Sequence, residues 1–241
     1  MERLLKFEKA AAERESRDRL RERFKKTALA GFHNKETLEL VLSYAMPSKD
    51  VKGLSTALIE RFKGLRGVFD ASPGELLRVE GMGENAVLFI RLVKELSGAY
   101  LKERIKDKDV IRSPQGMLDY LKLTLSGERV EKFLAVYLNP SNEVIAVEVL
   151  HEGTINQTVV YPRKAIEKAF QHNAHSVIFV HNHPSGDVTP SNVDRQLTVL
   201  LERAAKAVDL VVQDHLIIGR DKHFSAKESG WINLGPGRLS S

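Results

Sequence analysis

The chain has 241 residues, no cysteine, a hydrophobic fraction of 42% and a formal net charge of +5 at pH 7. That length admits one large domain or two small ones, and the missing cysteines exclude disulfides, thiolate metal ligands and a cysteine nucleophile. No run approaches the roughly 18 unbroken apolar residues of a membrane span, and the charged start Met1-Glu2-Arg3 is unlike a secretory leader. A cytoplasmic protein without a membrane partner is therefore expected, its basic balance tilting toward an acidic partner such as nucleic acid.

Residues 1–30 are dense in charge, with Arg14, Arg17, Arg19, Arg21, Arg23, Lys25 and Lys26 interleaved with Glu13, Glu15, Asp18 and Glu22. The pattern predicts a solvated helix held by neighbouring opposite charges. A basic face laid against phosphate is the alternative, diluted by the acids. From Thr37 to about Tyr100 the spacing predicts short amphipathic helices, one marked by Leu38, Val41, Leu42 and Ala45, another by Leu54, Ala57, Leu58 and Phe62. Glu80-Gly81-Met82-Gly83-Glu84-Asn85-Ala86 then runs into Val87, Ile90 and Leu92. Two glycines one residue apart allow a tight turn between helices and let backbone N–H groups approach a phosphate at the next helix start. Gly81, Gly83 and Asn85 are the candidate DNA contacts. The other reading is a packing corner with no ligand. A dinucleotide fingerprint is rejected, because the flanks have helical spacing and lack the βαβ unit.

Leu101 to Ile111 reads as a helix end followed by a charged linker, which places a domain boundary near residue 108. Ser113-Pro114 opens a helix through Met117, Tyr120 and Leu121. Val130–Leu138 and Val144–Leu150 read as strands joined by the turn Asn139-Pro140-Ser141-Asn142. Pro162 begins a helix with the apolar face Ala165, Ile166, Ala169 and Phe170. Ser176–Val180 is a buried strand, and Val193, Leu197, Leu200, Leu201 and Ala204 predict a helix from about Ser191. Val208–Val212 and Leu216–Ile218 supply two further strands, and Gly235-Pro236-Gly237 ends the core. Helices interspersed with a mixed sheet indicate an α/β or α+β core for residues 110–235.

The most informative stretch is His181-Asn182-His183-Pro184-Ser185-Gly186-Asp187, followed by Ser191-Asn192-Val193-Asp194. Residues two apart in a strand share a face, so His181 and His183 leave the strand end side by side. Asp194 falls in the first turn of the next helix. Two imidazoles and a carboxylate can hold a metal and leave one tetrahedral position open, as a catalytic zinc requires. The bland reading is a polar strand end beside a Ser191-x-x-Asp194 capping box.

The ordered set, H-x-H-P followed by S-x-x-D, resembles the signature of the JAMM/MPN metalloproteases. H-N-H-P-S-G-D with the later pair Asp214-His215 is similar to the RadC-like branch of that superfamily. The resemblance spans roughly residues 37–233. It implies a cytidine-deaminase-like α/β core with a mixed sheet (108–241), preceded by a small all-α helix-hairpin-helix domain (31–107) and the charged helix (1–30). The stretch Ala45-Met46-Pro47-Ser48-Lys49-Asp50 lacks the usual glycine turn of the domain's first half, which reads as degenerate.

Upstream carboxylates for a general base are Glu131, Glu143, Glu148 and Glu152, and spacing alone does not choose among them. The resemblance does: its pattern of Glu, one residue, then Phe matches Glu131-Lys132-Phe133. It implies Zn2+ held by His181, His183 and Asp194, Glu131 as base, Ser191 as oxyanion donor or helix cap, and a peptide or isopeptide substrate. Asp187, Asp214 and His215 stay without an assigned role. His151-Glu152-Gly153-Thr154-Ile155 fails H-E-x-x-H, and a zinc nucleobase deaminase would need absent cysteines. A zinc nuclease, or a non-enzymatic DNA-repair-associated module with retained or structural zinc, remains open. Substrate and oligomeric state are not encoded in any motif.

Overall fold

The computed structural model describes residues 2–47, 51–153 and 160–232. Ser48, Lys49 and Asp50 of the first-half turn, Thr154 and Ile155, and the Gly235-Pro236-Gly237 tail lie outside these residues. The chain divides into two compact units at Ser97/Gly98. That division falls inside a helix, earlier than the boundary expected near residue 108.

The first unit is all-helical: α1 (Glu2–Thr27), α2 (Asn34–Ala45), α3 (Lys52–Phe62), α4 (Leu65–Asp70), α5 (Pro73–Leu77) and the start of α6 (Glu84–Ile105). Its core is Leu38, Leu42, Leu58, Val68, Leu76, Ala86, Val87 and Ile90. Two entry signals are local. His33 and Glu36 form a capping box on α2, and Ser72 and Glu75 form one on α5 with Pro73 in the first turn. Two predicted core positions are outside. Ala57 is exposed while Ser55 is buried, and Leu92 is largely solvent-facing.

The second unit holds α7 (Gln115–Leu125), β1 (Lys132–Leu138), β2 (Val144–Glu152), α8 (Pro162–Gln171), β3 (Ser176–Asn182), α9 (Asn192–Lys206), β4 (Val211–Ile218) and β5 (His223–Ser225). The sheet order is β2-β1-β3-β4-β5, antiparallel except for the β3/β4 pair. Side-chain alternation divides β1 between two cores. Phe133, Ala135 and Tyr137 pack with Ala165 and Ala169 of α8 and Leu197, Leu201 and Ala205 of α9. Leu134, Val136 and Leu138 pack with Met117, Leu118, Leu121 and Leu125 of α7. The charged stretch after α6 is not a free linker, since Lys106 and Asp109 bridge to Val144 and Glu143.

Three expectations change here. Val208 lies in the turn after α9, and Val211–Ile218 is one strand rather than two. The short β5 carried no sequence signal of its own. Phe170 is exposed, because α8 turns Ala165 and Ala169 inward. No helix among the described residues is long and apolar enough to cross a membrane.

Candidate metal centre

Strand β3 is buried along its whole length and ends with the motif. His181 sits on the face of Phe179 and Phe133, with the Phe133 ring stacked on it at 6.1 Å. The next helix begins at Ser191, whose extended backbone and hydroxyl cap α9 as the spacing predicts. The buried face of α9 is Asp194, Leu197, Thr198, Leu201 and Ala205, whereas Val193 and Leu200 are exposed. Two polar side chains thus occupy the inward stripe, and they build the site.

The structure brings His181, His183 and Asp194 together. The two Nε2 atoms are 3.1 Å apart. His181 Nε2 lies 3.2 Å from Asp194 Oδ1, and His183 Nε2 lies 3.6 Å from Asp194 Oδ2. Bonds of ~2.0–2.1 Å at a tetrahedral angle separate ligand atoms by about 3.3 Å, so these donors fit a single ion. His183 Nδ1 points at the Asp187 carbonyl, 2.7 Å away. A carbonyl only accepts, so Nδ1 carries the hydrogen and Nε2 turns its lone pair to the cluster.

Charge follows the geometry. Burial opposes ionisation of Asp194, but the flanking His181 and His183 rings and the hydrogen bonds donated by Ser191 outweigh it and hold the carboxyl well below the usual carboxylate range. The Asp194 hydrogen bond raises His183 against the opposing effect of burial, with Glu131 adding in the same direction. Burial drives His215 well below the ordinary histidine range, so that ring is neutral at pH 7.

Glu131 precedes β1. Phe133 pairs with His181 at the end of the antiparallel β1/β3 ladder, and Glu131, two residues earlier, is close enough for its charge to act on His183. Its backbone is fixed on both sides by a residue that sequence reasoning did not single out. Buried Asn182 accepts from Lys132 N (2.8 Å) and donates to the Val130 carbonyl (3.2 Å). The Glu131 carbonyl also accepts from Gly153 N. The other upstream carboxylates are engaged elsewhere. Glu143 accepts from Asn139 in the β1/β2 turn, Glu148 pairs with His172 at 2.9 Å, and Glu152 pairs with Lys132.

Ser191 donates both its N–H and its hydroxyl to Asp194 Oδ2, each at 2.7 Å. Its hydroxyl hydrogen is thus committed to the carboxylate, and oxyanion donation requires redirecting it. Asp187 serves His183 through its backbone carbonyl, while its carboxylate accepts from Thr189. Asp214 accepts from His215 N, Lys227 N and the Ser225 hydroxyl, joining β4 to the segment that begins with β5. Gly219 packs closely against the loop that follows His183. A side chain there would come within 2.5 Å of the Gly186 carbonyl and 2.6 Å of Val188, and the neighbouring Ile218 carbonyl accepts from His183 N.

Gly81 and Gly83 lie between α5 and α6, with Asn85 exposed in the first turn of α6. Gly81 has φ +89°, a conformation that favours glycine. A Cβ on Gly83 would meet open space.

Residues 111–231 match the family model described as a RadC-like JAB domain. The chain belongs to the RadC-like family. It is 37% identical over 223 residues to the UPF0758 protein FN0909 of Fusobacterium nucleatum, covering 90% of this chain and 96% of that one. It is 39% identical over 215 residues to the UPF0758 protein Nmul_A2138 of Nitrosospira multiformis, covering 89% and 96%. It is 36% identical over 219 residues to the UPF0758 protein SPO0054 of Ruegeria pomeroyi, covering 91% and 98%. Those names state no activity. In this RadC-like chain the JAB domain contains a His-His-Asp group able to hold a metal.

Proposed function

We propose that the chain is a zinc-dependent hydrolase of peptide or isopeptide bonds that associates with DNA through its N-terminal helices. The observation that carries the hydrolase reading is the convergence of His181, His183 and Asp194 within 3.6 Å of one another, with the Glu131 charge acting on His183. Zinc bound there supplies Lewis-acid polarisation of a carbonyl and acidifies water. His181, His183 and Asp194 would hold it. Glu131 accepts a proton from the attacking water and returns it to the departing amine. Ser191, once its hydrogen leaves Asp194, donates to the developing oxyanion.

The DNA reading rests on the Gly81–Gly83 turn leading into α6 and on the chain's net positive charge. There, first-turn N–H groups would meet a backbone phosphate.

The hydrolase test pairs metal analysis with a peptide and isopeptide library read by mass spectrometry. About one zinc per chain, with cleavage lost in Glu131→Gln, supports the reading. Zinc lost in Glu131→Gln makes that residue a ligand and the site structural. No zinc in wild type overturns the hydrolase.

A further inference from the structure

Two buried side chains in the site are unused by the proposed chemistry, His215 of β4 and Thr198 of α9. We infer that they are positioning residues that force His181 into the one tautomer able to bind a metal through Nε2. This rests on the reading of His181 as a ligand.

The inference comes from counting hydrogens along an unbroken chain. His181 Nδ1 lies 2.9 Å from His215 Nε2. His215 Nδ1 lies 2.6 Å from the Thr198 hydroxyl oxygen, and that oxygen lies 2.7 Å from the Asp194 backbone carbonyl. His181, His215 and Thr198 are each no more than 2% exposed. Three contacts each require one hydrogen. Three are present: one on the hydroxyl and one on each neutral imidazole. The carbonyl has none to give, so the threonine donates to it. Threonine must then accept from His215 Nδ1–H, which leaves His215 Nε2 bare. His215 Nε2 accepts in turn from His181 Nδ1–H. No other arrangement gives these three contacts their hydrogens: the reverse polarity would put a hydrogen on His181 Nε2 toward Asp194 Oδ1, 3.2 Å away, but would leave the threonine and carbonyl oxygens 2.7 Å apart with no hydrogen between them.

The result is directional. His181 Nε2, which faces His183 and Asp194, keeps its lone pair. The opposite polarity would place a hydrogen on that atom and aim it where a metal belongs. The chain begins on one ligand residue and ends on the backbone of another, so the α9 turn carrying Asp194 also orients His181. The Phe133 and Phe179 rings lie edge-on to His215, with centroids 5.5 and 6.4 Å away, and pack it within the apolar core.

His215 reaches this face because of a register irregularity. Val177 pairs with Val212, but Ile178 pairs with Asp214, so the ladder skips Gln213. Val212 belongs to the core on the site face, whereas Leu216 and Ile218 belong to the opposite core. The inserted residue reverses the alternation and turns His215 toward His181.

The test uses the full chain with 15N-labelled histidine. In metal-free wild type, the His181 ring nitrogens are expected to show hydrogen on Nδ1 and none on Nε2. Thr198→Val keeps the shape and removes the Thr198 acceptor of His215 Nδ1–H, so His215 can reverse. His181 then shows a mixture of tautomers, and zinc affinity from chelator competition falls about 10- to 100-fold. Thr198→Ser restores both readouts. A purely structural threonine would alter thermal stability and leave the tautomer unchanged. Wild type with hydrogen on His181 Nε2, or Thr198→Val with unchanged tautomer and zinc affinity, overturns the inference while the metal site stands. Wild type that binds no zinc overturns the ligand reading, and the tautomer signals still report on the chain by themselves.

Discussion

The Nε2 atoms of His181 and His183 stand 3.1 Å apart, with the Asp194 carboxylate against both. Two lone pairs and a negative charge at that spacing repel unless a cation or a proton lies among them. Removal of metal should therefore lower stability. With free zinc at about a hundred times its Kd the loss is about 2.7 kcal/mol, read as a chelator-induced drop in Tm that is absent in His183→Ala.

That chelator effect should depend on pH with a definite sign. In the metal-free protein His183 titrates above its ordinary value because it bonds to Asp194. The protonated pair stabilises the fold fully below the unfolded histidine pKa, and the contribution is lost as pH rises through the raised folded value. Metal requires the unprotonated ring, so its contribution runs the other way. The Tm difference between loaded and chelated protein should be largest above the raised value and shrink on acidification, as a pH series of melts would show.

Glu131→Gln should retain zinc and lose about 10²- to 10⁴-fold in kcat, the usual range for a positioned base. Asn182→Ala should also retain zinc. It strips the partners of Lys132 N and the Val130 carbonyl, costing on the order of 1–3 kcal/mol in denaturant unfolding and lowering turnover by loosening Glu131.

Gly219→Ala should act on the metal from outside the ligand set. The added methyl meets the Gly186 carbonyl and Val188, pushing away the loop that holds His183. Overpacking of this kind costs about 1–3 kcal/mol, and zinc affinity should drop at least as far as stability does, by calorimetric titration.

Gly83→Ala tests the DNA proposal cleanly, because its Cβ has space in the fold. If a phosphate approaches that turn, duplex affinity by anisotropy should fall about fivefold to tenfold, the worth of one hydrogen bond, at unchanged Tm. Unchanged affinity would remove the turn from any DNA contact.

The His181–His183–Asp194 cluster was legible because two simple periodicities meet there. Strand alternation puts His181 and His183 side by side, and the capping pattern at Ser191 fixes where α9 starts. The supporting residues were hidden by the same rules. Asp194 and Thr198 lie on the buried stripe of α9, so reading that stripe from apolar residues rotated it toward exposed Val193 and Leu200. His215 was hidden by the skipped residue at Gln213, which also made one strand read as two. Asn182 gave no signal, because its partners are backbone groups some fifty residues away in sequence.

The placement of His215 on β4 also makes the site depend on a second strand. His181, His183 and Asp194 belong to one strand–loop–helix stretch and can meet as soon as α9 folds back on β3. The residue that orients His181 arrives only when the next strand docks beside β3. Without β4 in place the three side chains would still share their stretch, but His181 Nδ1 would lack its His215 partner.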